Sequence, residues 1–109
     1  MDENVFQQHA ETAIEQLKKS LYAIEEAAGF EVEERGGALH LNFENPPGTF
    51  VISPNSSARQ LWISALSTSF KLDWSEAYND FLLFQSGEPL LPLMSRLLTS
   101  QTGNAVNLT

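Results

Sequence analysis

The stretch that decides the fold reads GTFVIS (48–53), RQLWIS (59–64) and FKLDW (70–74). In each run polar and apolar residues alternate with a period of two, which is typical of half-buried β-strands. The opposite phase contains the polar residues Ser53, Gln60, Lys71 and Asp73, and among them the large aromatic Trp62. Because a large aromatic side chain in water often marks a contact surface, we predict that Trp62 binds a partner. The apolar phase, predicted to face the core, comprises Phe50, Ile52, Leu61, Ile63, Phe70, Leu72 and Trp74.

Helical periodicity is found only towards the two ends of the chain. Apolar residues recur at steps of three and four over 4–28, which predicts an amphipathic helix that ends at Gly29. A second helix is predicted from near Pro89 to Gly103. Between them we predict strands at 30–35, 38–43, 49–53, 59–65, 68–74 and 81–84. We predict a loop at 53–57, because proline does not fit inside a central strand ladder.

The order helix, six strands, helix predicts the fold class. Short connections between successive strands predict a mostly antiparallel sheet, and one apolar stripe on each helix predicts that both helices cover the same sheet face. The expected architecture is an α+β two-layer sandwich with Trp74 buried in its core. We predict a single domain over residues 1–103 and a loosely ordered tail at 104–109.

The charge of the chain is strongly negative and unevenly distributed. The formal net charge is −8, and residues 1–44 contribute −7 of it. This balance argues against nucleic-acid binding, which requires a basic surface. With no cysteine, any metal site has to use carboxylates, histidines, backbone or water. The sequence contains no apolar run long enough to span a bilayer and no targeting signal, so we expect a cytoplasmic protein without membrane contact.

The acids of the first helix and first strand form a candidate cation site, here called the acidic ridge. Hard cations such as iron prefer carboxylate oxygens, and carboxylates at helical spacing offer weak, exposed contacts. An ordinary solvated helix face remains the alternative. His9 and His40 are far apart in sequence and lack the spacing of a ligand pair. The acidic ridge comprises Glu3, Glu11, Glu15, Glu25, Glu26, Glu31 and Glu33.

The strand motifs carry a family resemblance. The GT-[FY]-VI strand, the Q-[LI]-W strand and the closing D-W resemble the frataxin family, the small acidic iron-binding proteins of iron–sulfur cluster assembly. The resemblance extends from about Phe6 to Leu98. It implies an iron-binding regulator that binds a cysteine desulfurase and its scaffold, and that delivers weakly bound iron. It also implies a monomer in the absence of iron, acting by binding rather than by catalysis.

The resemblance also implies a partner-binding set on the sheet face. Trp62 and Gln60 match the family's exposed tryptophan and its neighbouring glutamine, Lys71 matches a cationic position, and Asn55 matches a polar loop position. Ser53 replaces the family's asparagine at the end of the GT-[FY]-VI strand.

The chain departs from the family within the ridge, where Lys18 and Lys19 stand in place of acids that are common in bacterial members. We expect these two cations to weaken iron binding.

Two other functions remain as alternatives. Type III secretion chaperones are also small acidic α+β proteins, but they act as dimers with exposed apolar grooves. A ferroxidase would oxidise Fe²⁺ at a fixed di-iron site, and the sequence has no Glu-x-x-His pair with which to build one.

Overall fold

The computed structural model describes all 109 residues. Helix α1 (Glu3–Ala28) and helix α2 (Leu90–Thr102) flank six consecutive strands. The strands form one sheet in the order β1-β2-β3-β4-β5-β6, and every neighbouring pair is antiparallel. The predicted α+β sandwich is therefore confirmed. The strands are β1 (Phe30–Arg35), β2 (Ala38–Glu44), β3 (Pro47–Asn55), β4 (Gln60–Ala65), β5 (Thr68–Ser75) and β6 (Asp80–Leu83).

Helix α1 begins and ends at residues with clear capping roles. The Asp2 side chain accepts a hydrogen bond from the Val5 N–H at 2.8 Å, which satisfies a free donor of the first turn. Gly29 adopts a left-handed conformation with φ of 81°, which costs a glycine little. The buried stripe of α1 consists of Phe6, Ala10, Ala13, Ile14, Leu17 and Leu21. Neither helix is long and apolar enough to cross a membrane.

One apolar core joins both helices to the same face of the sheet. It contains 25 buried residues, and the Phe6 ring of α1 packs edge-on against Phe81 of β6 with centroids 6.1 Å apart. The predicted strand faces are correct, since Phe50, Ile52 and Leu61 are all buried. The opposite sheet face is not covered by any element, and we call it the outer face.

The expectation that Trp74 is fully buried needs correction. Trp74 lies on the predicted face and packs against the core, but it is only half-buried. Its position at the end of β5 explains the difference, because an indole N–H needs a polar partner. Here that N–H points to Glu76 Oε1 at 3.2 Å, outside the core.

The expected loop at 53–57 is also wrong in part. Strand β3 continues through Pro54 to Asn55, and Pro54 pairs with Leu61 of β4. Strand β2 pairs with β3 only as far as Ile52. Pro54 therefore has a neighbouring strand on one side only, where the missing N–H of a proline is tolerated.

Residues 104–109 differ from the expected loose tail. They form no helix or strand, but Leu108 is buried and joins the core cluster. The Leu108 N–H donates to Ser95 Oγ at 2.9 Å, and the Val106 N–H donates to Thr99 Oγ1 at 3.0 Å. Apolar residues at alternate positions, with hydroxyl acceptors on α2, explain why this short segment docks.

Candidate partner and cation surfaces

The strand register brings the five predicted partner-binding residues together on the outer face. Ser53 of β3 pairs with Trp62 of β4, and Trp62 pairs with Lys71 of β5. In the adjacent row, Asn55 pairs with Gln60. Side chains directly opposite each other in an antiparallel pair lie close enough to interact. Residues distant in sequence thus form one continuous surface, whose role in binding stays a prediction.

Trp62 is held in a fixed orientation although 37% of it is exposed. Its indole N–H donates to Gln60 Oε1 at 2.9 Å, and Gln60 Nε2 donates to Asp73 Oδ1 at 3.1 Å. Lys71 Nζ lies 4.9 Å from the centroid of the indole ring, within the range of a cation–π interaction. The indole is therefore oriented before any partner arrives, which lowers the entropic cost of binding.

Two members of the set differ in how free their side chains are. Asn55 Oδ1 accepts the Ala58 N–H at 2.8 Å and so stabilises the β3–β4 turn. The hydroxyl of Ser53 makes no hydrogen bond within the chain and faces a shallow depression beside Trp62. That depression is lined by Val51, Ser53, Trp62, Ile63, Ser64, Ser69 and Lys71.

The middle of the acidic ridge is neutralised by the protein itself. Lys18 Nζ lies 2.9 Å from Glu15 Oε1 and 3.5 Å from Glu34 Oε2, so one ammonium group bridges helix α1 and strand β1. The hydrogen bond to Glu15 and the two negative charges raise the pKa of Lys18, and desolvation opposes them. Lys19 makes no ion pair. Of the two cations that the sequence places in the ridge, only Lys18 holds a position that a metal ion would compete for.

Two further ridge carboxylates already have partners. Glu25 Oε2 accepts the Val32 N–H at 3.0 Å and so satisfies a donor at the open edge of β1. Glu33 accepts hydrogen bonds from Arg35 at 3.0 Å and from Asn42 at 2.6 Å. The Arg35 hydrogen bond and charge, with the Asn42 hydrogen bond, hold the pKa of Glu33 below its usual value. The ridge members without such a hydrogen bond or ion pair are Glu3, Glu11, Glu26 and Glu31.

The acids form two separate groups along the α1–β1 edge. Glu11, Glu15 and Glu34 line one depression near the β1–β2 turn. A second depression, at the end of α1, is lined by acids that include Glu25, Glu26, Glu31 and Glu44. Nowhere do three Asp, Glu, His or Cys side chains converge closely enough to form a ready-made metal site. Any cation bound here is held by few, exposed contacts.

Sequence reasoning missed two of these acids. Glu34 falls in the core phase of the strand alternation, but it lies at the exposed end of β1 and reaches Lys18 instead. Glu44 lies one residue beyond the predicted end of β2. Both acids are counted in the net charge of residues 1–44, but only the structure shows which part of the surface each of them occupies.

The two histidines do not meet. The His9 imidazole of α1 stacks on Trp74 with ring centroids 3.6 Å apart and an interplanar angle of 12°. His40 lies on the outer face of β2, opposite Glu33 in the register. These positions support no shared metal site.

Two helices on one face of a six-stranded antiparallel sheet, with an uncovered outer face, define the structural class of this protein. The frataxin-like domain family matches residues 1–104. The chain therefore belongs to the frataxin-like family.

Similar proteins come from several bacteria. The chain is 34% identical over 76 residues to the iron–sulfur cluster assembly protein CyaY of Stutzerimonas stutzeri, a match that covers 70% of this chain and 68% of that protein. It is 36% identical over 76 residues to the protein of that name from Pseudomonas aeruginosa, covering 70% of this chain and 69% of that protein. For the Azotobacter vinelandii protein the identity is 30% over 92 residues, covering 83% of both chains.

The fold also matches a solved structure. A frataxin from Psychromonas ingrahamii superposes with a TM-score of 0.83 and 22% sequence identity, over 100% of this chain and 99% of that one. At this identity the likeness shows a shared fold.

Proposed function

We propose that this protein acts in iron–sulfur cluster assembly, where it binds a cysteine desulfurase and its scaffold protein and carries weakly bound iron. Membership of the frataxin-like family supports the process, because curated relatives are named as iron–sulfur cluster assembly proteins. The single observation that supports the mode of action is the oriented, exposed Trp62 on the outer face.

Trp62 has the properties of a binding hot spot. An indole buries a large area at small entropic cost, and aromatic residues dominate the energetics of interfaces. Its hydrogen bond to Gln60 and the nearby Lys71 ammonium group fix the orientation of the ring. The surrounding side chains are small or polar, so a partner can reach both the ring and the depression beside it.

The acidic ridge contributes charge over a longer range. Clustered negative charge attracts cations and basic protein surfaces, and it accelerates encounter with a basic partner. Iron is the proposed cargo, since exposed carboxylates bind hard cations in a weak and exchangeable way. The dispersed arrangement of the ridge supports a site that releases iron readily.

The alternatives fit the site less well. Ferroxidase chemistry needs a geometrically fixed pair of irons, and the carboxylates here do not converge. The secretion-chaperone alternative is set aside by membership of the frataxin-like family. In the function proposed here, the protein regulates its partner by binding to it and does not itself catalyse a reaction.

Calorimetry with the organism's own cysteine desulfurase and scaffold tests this proposal. We expect the wild-type chain to bind at least one of them, and Trp62→Ala to weaken binding by about 2 kcal/mol or more with the fold intact. Tyr78→Ala is the matched control, because Tyr78 is an exposed aromatic in the β5–β6 turn, with 71% exposure. Absence of binding by the wild-type chain to both proteins would overturn the proposal.

A further inference from the structure

Phe84 is an exposed aromatic side chain that neither the sequence motifs nor the proposed interface includes. It follows β6 directly, and 87% of it is exposed, more than any other large apolar residue in the chain. Leu83 pairs with Leu72 at the end of the β5–β6 ladder. The ladder ends there and Phe84 is the first residue of the turn that follows. Extending the register by one residue would place Phe84 opposite Lys71, which pairs with Trp62 on its other side.

The turn that carries Phe84 is held in place. Gly87 N–H donates to the Leu83 carbonyl at 2.7 Å, which closes the turn after β6. Glu88 then accepts two hydrogen bonds from the Arg96 guanidinium of α2, at 2.8 and 2.9 Å. Phe84 is thus displayed on a fixed turn, although burying it inside the protein would be more favourable.

Strand addition does not explain this exposure. The open edge of β6 is covered by the chain itself, since the Leu83 N–H donates to the Glu88 carbonyl at 2.9 Å and Leu82 forms a bridge with Pro89. A covered edge prevents pairing with a strand from another molecule. Any contact with Phe84 is therefore made through its side chain and not by strand pairing.

Lys71 gives this surface its charge preference. Three of the six cationic side chains form ion pairs with acids, namely Lys18, Arg35 and Arg96, whereas Lys71 forms none. The nearest acid on the same face of its own strand, Asp73, accepts a hydrogen bond from Gln60. An unpaired ammonium group between two aromatic positions is complementary to a carboxylate that has apolar neighbours.

We propose that Trp62, Lys71 and Phe84 form one binding row, and that it takes a partner segment in which a carboxylate is flanked by apolar side chains. The identity of the partner as desulfurase or scaffold rests on the proposed function. A second copy of this chain is a poor occupant, because two molecules with a net charge of −8 each repel one another.

Affinity measurements with purified desulfurase and scaffold, each against the full chain, test this row. We expect Phe84→Ser to weaken binding roughly ten- to thirtyfold, and Tyr78→Ser, the matched exposed aromatic, to change it less than about twofold. At position 71 we expect the affinity order Lys and Arg, then Gln, then Glu. Overall charge alone predicts the reverse order for a basic partner, since Lys71→Glu makes an acidic protein more acidic. Circular dichroism confirms that each variant is folded.

Each outcome separates this proposal from the one before it. If the wild type binds and the affinity of Phe84→Ser equals that of Tyr78→Ser, the proposed binding row is wrong while the proposed function stands. Tighter binding by Lys71→Glu would equally overturn the carboxylate assignment. If the wild type forms a dimer in sedimentation experiments and Phe84→Ser does not, the occupant of the row is a second copy of this chain, and the partner assignment is overturned. If the wild type binds neither protein, the proposed function fails, and this partner assignment fails with it.

Discussion

The imidazole of His9 lies flat against the indole of Trp74, with ring centroids 3.6 Å apart. This contact joins the first helix to the end of β5, and it covers a ring face that the core leaves open. Trp74 also packs edge-on against Phe81, with centroids 5.2 Å apart. His9 is therefore a packing residue of the helix–sheet interface, which the sequence alone did not indicate.

This arrangement predicts unequal roles for the two tryptophans in stability. Trp74→Ala should lower the free energy of unfolding by about 3 kcal/mol, near the low end for large aromatic truncations because Trp74 is only half-buried. Trp62→Ala should lower it by about 1 kcal/mol or less, because its removal leaves no internal cavity. Urea unfolding followed by circular dichroism measures both. Equal, large losses would mean that the strand faces are assigned incorrectly.

A double-mutant cycle isolates the His9–Trp74 contact. His9→Ala alone should cost about 1 kcal/mol, and the coupling between His9→Ala and Trp74→Ala should be about 0.5–1.5 kcal/mol. His9→Phe keeps a flat ring at the position and should retain most of the stability. Strict additivity of the two alanine substitutions would show that the stacking contributes nothing.

The period-two pattern predicted the sheet well because one face of each strand is buried and the other is solvated. It failed where the end of an element changes the environment. Trp74 and Pro54 both lie near strand ends, where burial falls and one neighbouring strand is missing. The docked segment after Gly103 was also missed, because two apolar residues at alternate positions in a six-residue segment are too few to establish a periodic pattern.

Docking of the C-terminal segment predicts a measurable contribution to stability. Leu108→Ala should destabilise the fold by about 2 kcal/mol, because Leu108 is buried in the core cluster. Asn107→Ala is the control, since Asn107 is exposed and makes no hydrogen bond, and it should change stability by about 0.5 kcal/mol or less. Chemical denaturation compares the two. Equal effects at both positions would show that the segment is loosely attached.

The Glu88–Arg96 pair predicts a specific dependence on pH. The Arg96 hydrogen bonds, with a contribution from Ser86, lower the pKa of Glu88 below its usual value of 4.5. A carboxylate with a lowered pKa in the folded state stabilises the fold above its usual pKa. That stabilisation is lost as the pH falls from about 4.5 through the lowered value. The pair is partly exposed, so the contribution should be below about 1 kcal/mol.

Arg96→Gln tests this pH dependence. The variant should be less stable than the wild type at pH 7, and the difference should shrink as the pH falls below the usual glutamate range. Unfolding curves at pH 7 and near pH 3.5 measure it, and the raised pKa of Asp80, caused by burial, affects both proteins alike. A difference that does not depend on pH would assign the effect of Arg96 to packing.

The candidate site was predictable to different degrees on its two surfaces. Ser53, Gln60, Trp62 and Lys71 followed from strand alternation, because alternate residues on paired strands share a face, whereas Asn55 came only from the family resemblance and was expected in a loop.

The ridge was predicted as a set of charges, but its contacts depend on neighbours in space. Lys18 of α1 reaches Glu34 of β1, Glu25 accepts the Val32 N–H, and Glu33 accepts a hydrogen bond from Asn42 of β2. Phe84 was missed because the predicted strand 81–84 included it without a role, whereas in the structure β6 ends at Leu83 and Phe84 is exposed in the turn that follows.

Lys18 and Lys19 provide a matched pair of substitutions for the cation surface. Lys18→Gln removes the ammonium group between Glu15 and Glu34, and Lys19→Gln removes an equal charge that has no partner. We expect Lys18→Gln to strengthen Mn²⁺ or Co²⁺ binding about fivefold and Lys19→Gln by less than about twofold. Paramagnetic broadening of amide signals should extend to Glu11, Glu15 and Glu34 only in the first variant. Equal changes in both would show that net charge, and not the bridge, controls cation binding.

The two surfaces should differ in how they contribute to binding a desulfurase. Glu26→Lys with Glu31→Lys reverses ridge charges that have no structural hydrogen bond, so this variant avoids the Glu25 contact with β1. It should slow association at low salt and approach the wild type as the ionic strength rises, because exposed charges are screened beyond about 8 Å at physiological salt. Trp62→Ala should instead accelerate dissociation at every salt concentration, because the ring acts only after contact. Surface-based kinetic measurements over a salt series resolve the two rates. A Trp62→Ala effect confined to the association rate would exclude the outer face from the final interface and leave the ridge as the contact.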